Sequence, residues 1–302
     1  MAIFAIFGGS GFLGSRIVRR LKADGHEVRL VARHPGAARQ EDDSPGKVVP
    51  VAADILHPET IRPALEGVDG AVNAVSLYLE SGKTTFQAVH VEGAASLAEA
   101  AKAAGLKRFV HVSGIGADAA SGDPFIKARG RGEASVLAAC PFATIVRPSV
   151  MVGRDDAIRS TILGLTRRQP VFPLFGQGDT RLQPVHREDV AHAIAKLLTM
   201  EEPAPLYEFG GPEVYTYADL VRRVAKAGGQ PVWPVPVPFA IWDGLAALTE
   251  HLPGAPLTRS QVALIRKDNV AASQCPGLPE LGIDPTDIIA DLRHETSRRQ
   301  QA

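Results

Sequence analysis

Cysteine is scarce in this chain: only Cys140 and Cys275 occur among 302 residues. That excludes a disulfide framework, and with no metal-ligand spacing it points to a reducing compartment. Net charge is missing as well, because 33 basic side chains balance 33 acidic ones. No overall field therefore draws the chain to nucleic acid or to an anionic lipid surface. No apolar run approaches the roughly 20 residues that span a bilayer. The apolar residues from Ile3 to Phe7 have no basic segment ahead of them, so they predict a buried strand and not an export signal. Cytoplasm is the expected location, or at most a peripheral position at the inner face of the cytoplasmic membrane. Internal repeats and low-complexity tracts are lacking too. The nine histidines include no His-Glu-x-x-His. His186 with His192 fits packing and surface chemistry better than ligation, and no metal is expected.

Apolar residues are plentiful, at 45% of the chain, enough for the core of one large α/β unit or of two lobes. The most informative stretch is residues 3–20. There Ile3-Phe4-Ala5-Ile6-Phe7 runs into Gly8-Gly9-Ser10-Gly11-Phe12-Leu13-Gly14, and a basic helical pattern follows from Ser15 to Leu21. Strand, glycine turn and helix in that order let the backbone reverse sharply and lie against a pyrophosphate, whose charge faces the N–H groups at the helix start. A dinucleotide is the expected ligand, held along Gly8, Ser10, Gly11, Phe12, Leu13 and Gly14. The glycines read as G-x-G-x-x-G from Gly9 or as G-x-x-G-x-x-G from Gly8, and the two imply different dinucleotide families. A purely structural turn is the alternative.

Strand patterns recur at 27–32, 48–53, 70–75, 108–112 and 142–146, with alanine-rich helical segments such as 94–104 between several of them. Such alternation predicts a parallel sheet with right-handed crossovers, helices on both faces and the ligand at the carboxyl ends of the strands. The expected fold is thus a Rossmann-type, doubly wound α/β domain over residues 1–150. A polar loop from His34 to Gly46 is expected to be mobile. Beyond Val150 the texture changes. Pro and Gly cluster around Gln169 to Pro184, and a helix is expected from Glu188 to Leu198. Residues 151–302 are expected to form a smaller substrate or partner lobe closing over the nicotinamide end, with 178–200 packing back on the first domain. Pro231 to Pro238 is proline-rich but too short for a long linker.

Dinucleotide folds place an acidic residue about 20 positions past the glycines to take the ribose hydroxyls. Here Arg33 stands in that region. A guanidinium at the end of the second strand pairs with a 2′-phosphate, so NADP(H) is preferred and NAD(H) remains open; a solvated surface charge is the plain alternative. Asp54 and Ile55 end the third strand, where the carboxylate either accepts from the adenine amino group or caps a helix. Asn73 to Ser76, including Ala74 and Val75, end the fourth strand near the place of a nicotinamide ribose.

Gly8-x-x-Gly11-x-x-Gly14, Asp54-Ile55, His111-Val112-Ser113 and Arg147-Pro148-Ser149 occur in this order. With them the chain resembles an atypical, extended short-chain dehydrogenase/reductase of the epimerase/dehydratase-like kind. Within that family it is most similar to the nucleotide-binding accessory subunit of respiratory complex I and its bacterial relatives. The segments Leu182-Gln183-Pro184-Val185-His186, Asp189-Val190-Ala191, Tyr207 to Pro212 and Leu257 to Val262 carry that narrower likeness. The resemblance implies a catalytic Ser, then a Tyr with a Lys four residues later on one helix face, where the cation and the cofactor ribose ready the phenol for proton exchange. Ser113 matches, and Pro148 falls beside the cofactor. The Tyr position is Phe125 and the Lys position is Arg129.

Phe125 has no proton to give, and Arg129 is a permanent cation that can hold ribose or phosphate but cannot serve as a base. Losing a positioned general acid removes about 10²- to 10⁴-fold in rate. Lys127, two residues from Phe125, lies elsewhere on the helix surface and is a weaker substitute donor. Ser113 does not sit in a nucleophile elbow, because residue 111 is His. The expected function is dinucleotide binding in a catalytically weakened relative. By resemblance that means an accessory or sensing role within a protein assembly at the membrane. The alternative is an active NADPH-dependent oxidoreductase or epimerase acting on a hydrophobic carbonyl compound or quinone. Phe239, Trp242, Leu245 and Leu248 form an apolar stripe at three-residue intervals. It is expected to be core of the second lobe, the other readings being a membrane face, a partner face or a lipid-like substrate site.

Overall fold

A computed structural model describes residues 1–36, 44–154, 156–249 and 257–301. Residues 37–43, most of the expected loop from His34 to Gly46, lie outside the described residues. Along the chain β1 (Ile3–Phe7), α1 (Gly14–Ala23), β2 (Glu27–Ala32) and β3 (Lys47–Ala52) come first. They are followed by α2 (Pro58–Leu65), β4 (Gly70–Asn73), α3 (Ala94–Ala103), β5 (Arg108–Val112), α4 (Pro124–Ala139) and β6 (Thr144–Pro148). Next come β7 (Met151–Val152), α5 (Ala157–Arg168), β8 (Val171–Phe175), β9 (Arg181–Leu182), β10 (Val185–His186), α6 (Arg187–Thr199) and β11 (Leu206–Phe209). The last elements are β12 (Tyr215–Thr216), α7 (Tyr217–Ala227), β13 (Trp233–Val237), α8 (Phe239–Thr249), α9 (Arg259–Ile265) and α10 (Ile288–Gln301).

The first compact unit holds residues 1–148, 187–209 and 273–283. Its seven strands lie in the order β11, β6, β5, β4, β1, β2, β3, and every pairing is parallel. Strand order reverses between β1 and β4. From there the chain winds one way through β2 and β3 and the other way through β5 and β6, and the helices cover both faces, α1 packing beside α6 and α2, α3 and α4 sharing one core. Central strands covered on both faces read as continuous apolar runs. Accordingly all four residues of β4 and four of the five in β1 are buried. The edge strand β3 is only partly buried and accommodates Pro50, whose missing N–H is tolerable at a sheet edge. Phe7, Phe109, Ile61, Leu65, Leu97 and Ile145 meet in its principal core.

Residues 178–200 were expected to pack back as one segment, but residues 178–186 belong to the second unit and the return begins at Arg187. The returning piece is also longer than expected, because β11 adds a strand beside β6. Residues 273–283 join as well, with the Glu208 N–H donating to the Pro276 carbonyl at 3.1 Å. Neither contribution has a periodic signature of its own in the sequence.

The second unit, residues 149–186, 210–272 and 284–302, is built on short strand pairs: β7 with β10, β9 with β12, and β8 with β13. The proline-rich stretch at 231–238 is therefore largely a strand, its residues in register with Val171–Phe175. The unit's core gathers Val152, Phe172, Leu174, Leu182, Tyr215, Tyr217 and Val221. The apolar stripe of α8 departs from expectation. Leu245 and Leu248 are 44% and 77% exposed, and Ala246 is the buried residue of the helix. At 3.6 residues per turn, a repeat of three slips back by about 60° at each step, so four such residues wrap round the helix instead of following one face. Phe239 and Trp242 are half-buried. Trp242 stacks on Phe175 at 4.2 Å and donates its Nε1–H to the Leu174 carbonyl at 3.0 Å.

Phe109 is fully buried at the middle of β5. Phe109→Ala is expected to cost about 3–5 kcal/mol through lost transfer energy and a residual cavity, measured as a lower denaturant midpoint at unchanged slope. A loss under about 1 kcal/mol contradicts this packing.

Candidate functional site

The site is built at the carboxyl ends of β1, β4 and β5, within the first unit. After β1 the chain turns at Gly8, whose φ of +79° is open to glycine and strained for other residues. The N–H groups of Gly8 and Gly9 both donate to the Val31 carbonyl, at 3.0 and 3.1 Å, tying the turn to β2. A Cβ on Gly8 would lie 2.8 Å from the Ala74 carbonyl oxygen, and one on Gly14 would collide with the Gly8 carbonyl. Glycine is thus required at both outer members of the G-x-x-G-x-x-G spacing and also at Gly9, where a Cβ would lie 2.9 Å from the Ile6 carbonyl oxygen. Ser10, Gly11 and Phe12 are exposed, while Leu13 is buried. The first turn of α1 holds no acidic residue and no side chain caps it, which suits an incoming anion. Arg187 lays its guanidinium over the Phe12 ring at 4.4 Å, a cation beside the glycine turn that no local sequence pattern pointed to.

Arg33 is exposed directly after β2, and no carboxylate lies between Ala32 and Gly36. Asp54 follows β3. Its Oδ1 accepts from the Leu56 N–H at 3.0 Å, and its own N–H donates to Thr60 Oγ at 3.0 Å. The capping position of α2 belongs to His57, which makes no side-chain cap, so Asp54 is not a helix cap. One of its oxygens closes a local turn. Ile55 is buried beneath it.

After β4, the Ala74 N–H donates to the Phe7 carbonyl at 2.9 Å, and the Val75 N–H donates to Asn73 Oδ1 at 3.2 Å. This orients the Asn73 amide, whose Nδ2 then donates to His111 Nδ1 at 3.2 Å. Burial, with the charges of His90 and Arg129 adding to it, lowers the His111 pKa to about 3. His90 lies in a π-helical stretch, Gln87–Gly93, and donates from Nε2 to the Leu77 carbonyl at 2.9 Å. Burial lowers its pKa to about 4 against that hydrogen bond. Both imidazoles are neutral at pH 7 and serve as hydrogen-bonding struts.

Ser113 ends β5. Its N–H donates to the Val146 carbonyl at 2.8 Å, and its buried Oγ has no hydrogen-bond partner among the described residues. Pro148, buried at the end of β6, accepts the Ile115 N–H at 3.2 Å. Asp123 caps α4 by accepting the Ile126 N–H at 2.9 Å, which presents Phe125 and Arg129 on one face. Phe125 is buried among Tyr78, Phe86 and His90, with centroids 5.5, 5.3 and 5.5 Å away. The Arg129 guanidinium lies over the Phe125 ring at 4.5 Å. Its other side meets Gly114, where a Cβ would overlap Nη1. Lys127 is about 200° round the helix from Phe125. Arg147, one residue before Pro148, is clasped by two buried carboxylates: Glu133 takes it bidentately at 2.6 and 2.9 Å, and Glu208 at 3.3 Å. These partners hold its pKa above the ordinary guanidinium value and make it an internal tie. Among the described residues no group of three His, Cys, Asp or Glu could hold a metal.

A turn for a pyrophosphate at the β1/β4 reversal defines a dinucleotide-binding protein. A family model described as NAD(P)H-binding matches residues 8–201, and the chain belongs to that family. Its relatives place it further. It is 28% identical to NADH dehydrogenase (ubiquinone) 1 alpha subcomplex subunit 9 of Rattus norvegicus, over 98% of this chain and 81% of that one. The corresponding Arabidopsis thaliana subunit is 31% identical over 81% of this chain, a match spanning 62% of the plant protein. A ceramide reductase of Caulobacter vibrioides is 31% identical, over 75% of this chain and 71% of that protein. Two solved structures share the fold. One is the dTDP-glucose 4,6-dehydratase DesIV of Streptomyces venezuelae, with a TM-score of 0.70 at 22% identity over 99% of this chain and 97% of that one. The other is the UDP-glucose 4-epimerase of Thermotoga maritima, with a TM-score of 0.69 at 18% identity over 99% and 100%.

The histidine struts give a pH test. Their folded-state pKa values lie below the ordinary 6.5, so the unfolded chain binds protons that the folded one refuses. Stability from burying them neutral is complete above pH 6.5. It is lost as pH falls from there toward about 4 for His90 and about 3 for His111, at about 1.4 kcal/mol per pH unit for each. His90→Gln is expected to remove one such slope from denaturant titrations run between about pH 6.5 and 5. An unchanged slope contradicts burial of a neutral His90.

Proposed function

We propose that this protein retains NADP(H) in its first unit as its main task and reduces a hydrophobic carbonyl compound only slowly. One observation carries this reading: where the family keeps its proton donor, the structure has the buried ring of Phe125 roofed by a permanent guanidinium. Without an acid at that position, proton transfer by the ordinary route is lost, at about 10²- to 10⁴-fold in rate. Gly8, Ser10, Gly11, Phe12, Leu13 and Gly14 bind the pyrophosphate, Arg33 the 2′-phosphate, and Asp54 and Ile55 the adenine. Ala74, Val75, Ser113, Arg129 and Pro148 border the nicotinamide half. When bound, the reduced dinucleotide supplies hydride; the Ser113 hydroxyl positions a carbonyl oxygen, and the Arg129 charge favours negative charge developing there.

Likeness to the complex I subunits supports an accessory or sensing role for the retained nucleotide, in an assembly at the membrane. No described helix is long and apolar enough to cross a membrane. The ceramide reductase supports the slow reaction and a long-chain carbonyl as its substrate class.

Arg33→Asp is expected to reverse the ratio of dissociation constants for NADPH and NADH, with NADPH weakened at least about tenfold, the equivalent of 1.4 kcal/mol, as read by calorimetry. An unchanged ratio overturns the 2′-phosphate role. NADPH at about 100 times its dissociation constant should raise unfolding stability by about 2.7 kcal/mol. The absence of any shift contradicts retention, and rapid turnover of any carbonyl contradicts the accessory role.

A further inference from the structure

We propose that Tyr78 is the proton donor of the slow reaction, standing in for the tyrosine that the family places at residue 125, with Arg129 as its charge partner. The proposal rests on the reductase part of the preceding reading. Tyr78 lies in the segment after β4 and approaches the site from a different element than α4. Its ring is tilted by 33° over Phe125 at 5.5 Å, and its hydroxyl accepts from Arg129 Nη2 at 3.5 Å. The guanidinium carbon is 5.7 Å from the Tyr78 centroid and 4.5 Å from that of Phe125. The same planar cation rests against Gly114, the neighbour of Ser113, through Nη1. A phenol after β4 and a fixed cation are thus brought next to Gly114, the neighbour of Ser113, whose buried hydroxyl has no partner among the described residues. These are the functional groups that a Ser, Tyr and Lys set supplies, with the phenol carried by another part of the chain.

The segment bearing Tyr78 is pinned. His90 holds the Leu77 carbonyl at 2.9 Å, Glu80 accepts the Phe86 N–H at 2.6 Å, and Ser81 and Thr84 exchange backbone hydrogen bonds at 3.0 Å. The other tyrosines are committed elsewhere. Tyr207 is buried and accepts the Ala204 N–H at 3.1 Å, while Tyr215 and Tyr217 belong to the core of the second unit. Tyr78 is 52% exposed, so water can return a proton to it without a relay. Arginine suits the partner role because its planar guanidinium stacks on rings and never gives up its own charge.

The reaction balances as follows. With the reduced dinucleotide bound, the carbonyl carbon of the substrate would gain a hydride, which carries both electrons of the reduction, and the C=O π pair would move onto oxygen. The Tyr78 O–H bond breaks as the new O–H bond of the alcohol forms. The phenolate, held beside Arg129, then takes a proton from water. One carbonyl, one NADPH and one proton give one alcohol and one NADP⁺.

The test compares wild type, Tyr78→Phe, and the double variant Tyr78→Phe with Phe125→Tyr, on a long-chain ketone with NADPH. Thermal melts and NADPH dissociation constants serve as controls. Tyr78→Phe is expected to lower kcat about 10²-fold while melting and NADPH binding hold, and the double variant is expected to recover at least tenfold of that loss (~10² overall). An unreactive long-chain carboxamide, whose carbonyl accepts a hydrogen bond without taking hydride, gives a readout independent of turnover. Its calorimetric affinity for the NADPH complex should fall about tenfold in Tyr78→Phe, the worth of one hydrogen bond. If wild type turns over and Tyr78→Phe matches it within about twofold, the Tyr78 role is overturned and the reductase reading stands. If wild type neither turns over nor binds the carboxamide, the reductase reading falls and the Tyr78 role with it.

Discussion

A bare backbone at Gly8 brings the turn after β1 against the carbonyl of Ala74 after β4, and the rest of the nucleotide site is placed by that contact. The two strands flank the reversal of strand order, where a doubly wound sheet opens its crevice. A side chain at residue 8 would force the segments apart and carry the start of α1 away from the end of β4. The same packing brings Asn73, His111 and Ser113 into one row of strand ends. The glycine turn, the neutral histidine struts and the unpartnered serine hydroxyl belong to one construction.

On the other side of the crevice, the identity of residue 129 decides what the chemistry can be. A lysine offers a flexible ammonium to a neighbouring phenol. Arginine brings a flat plate that fills the gap between the Phe125 ring and Gly114. The two changes at residues 125 and 129 suit each other physically, because a guanidinium stacks well on a phenyl face. Together they form a packed wall of ring and cation where a tyrosine and lysine pair would have been a proton-transfer device.

Much of this architecture was legible in the sequence, because its signals are local. The run before Gly8, the spacing of Gly8, Gly11 and Gly14, and the strand at Arg108–Val112 follow from short-range steric and burial rules. Phe125 and Arg129 were readable because their four-residue spacing fixes a shared helix face. What escaped depends on contacts distant in sequence. Tyr78 lies in an aperiodic segment and gains meaning only through Arg129, and Arg187 only through Phe12. Strand β11 is short and becomes part of the sheet through Thr144–Pro148. The α8 stripe shows the opposite failure, a periodicity that looked like core but drifts round the helix, leaving Leu248 in solvent.

The central claim is that the site exists to keep an NADP-type dinucleotide. Its most direct test is the identity of the nucleotide carried through purification, read by mass spectrometry of the denatured protein. The account predicts NADP⁺ or NADPH at near-equimolar amount. A nucleotide sugar, NAD(H) in excess over NADP(H), or a preparation free of nucleotide that gains none on incubation with NADPH would contradict it.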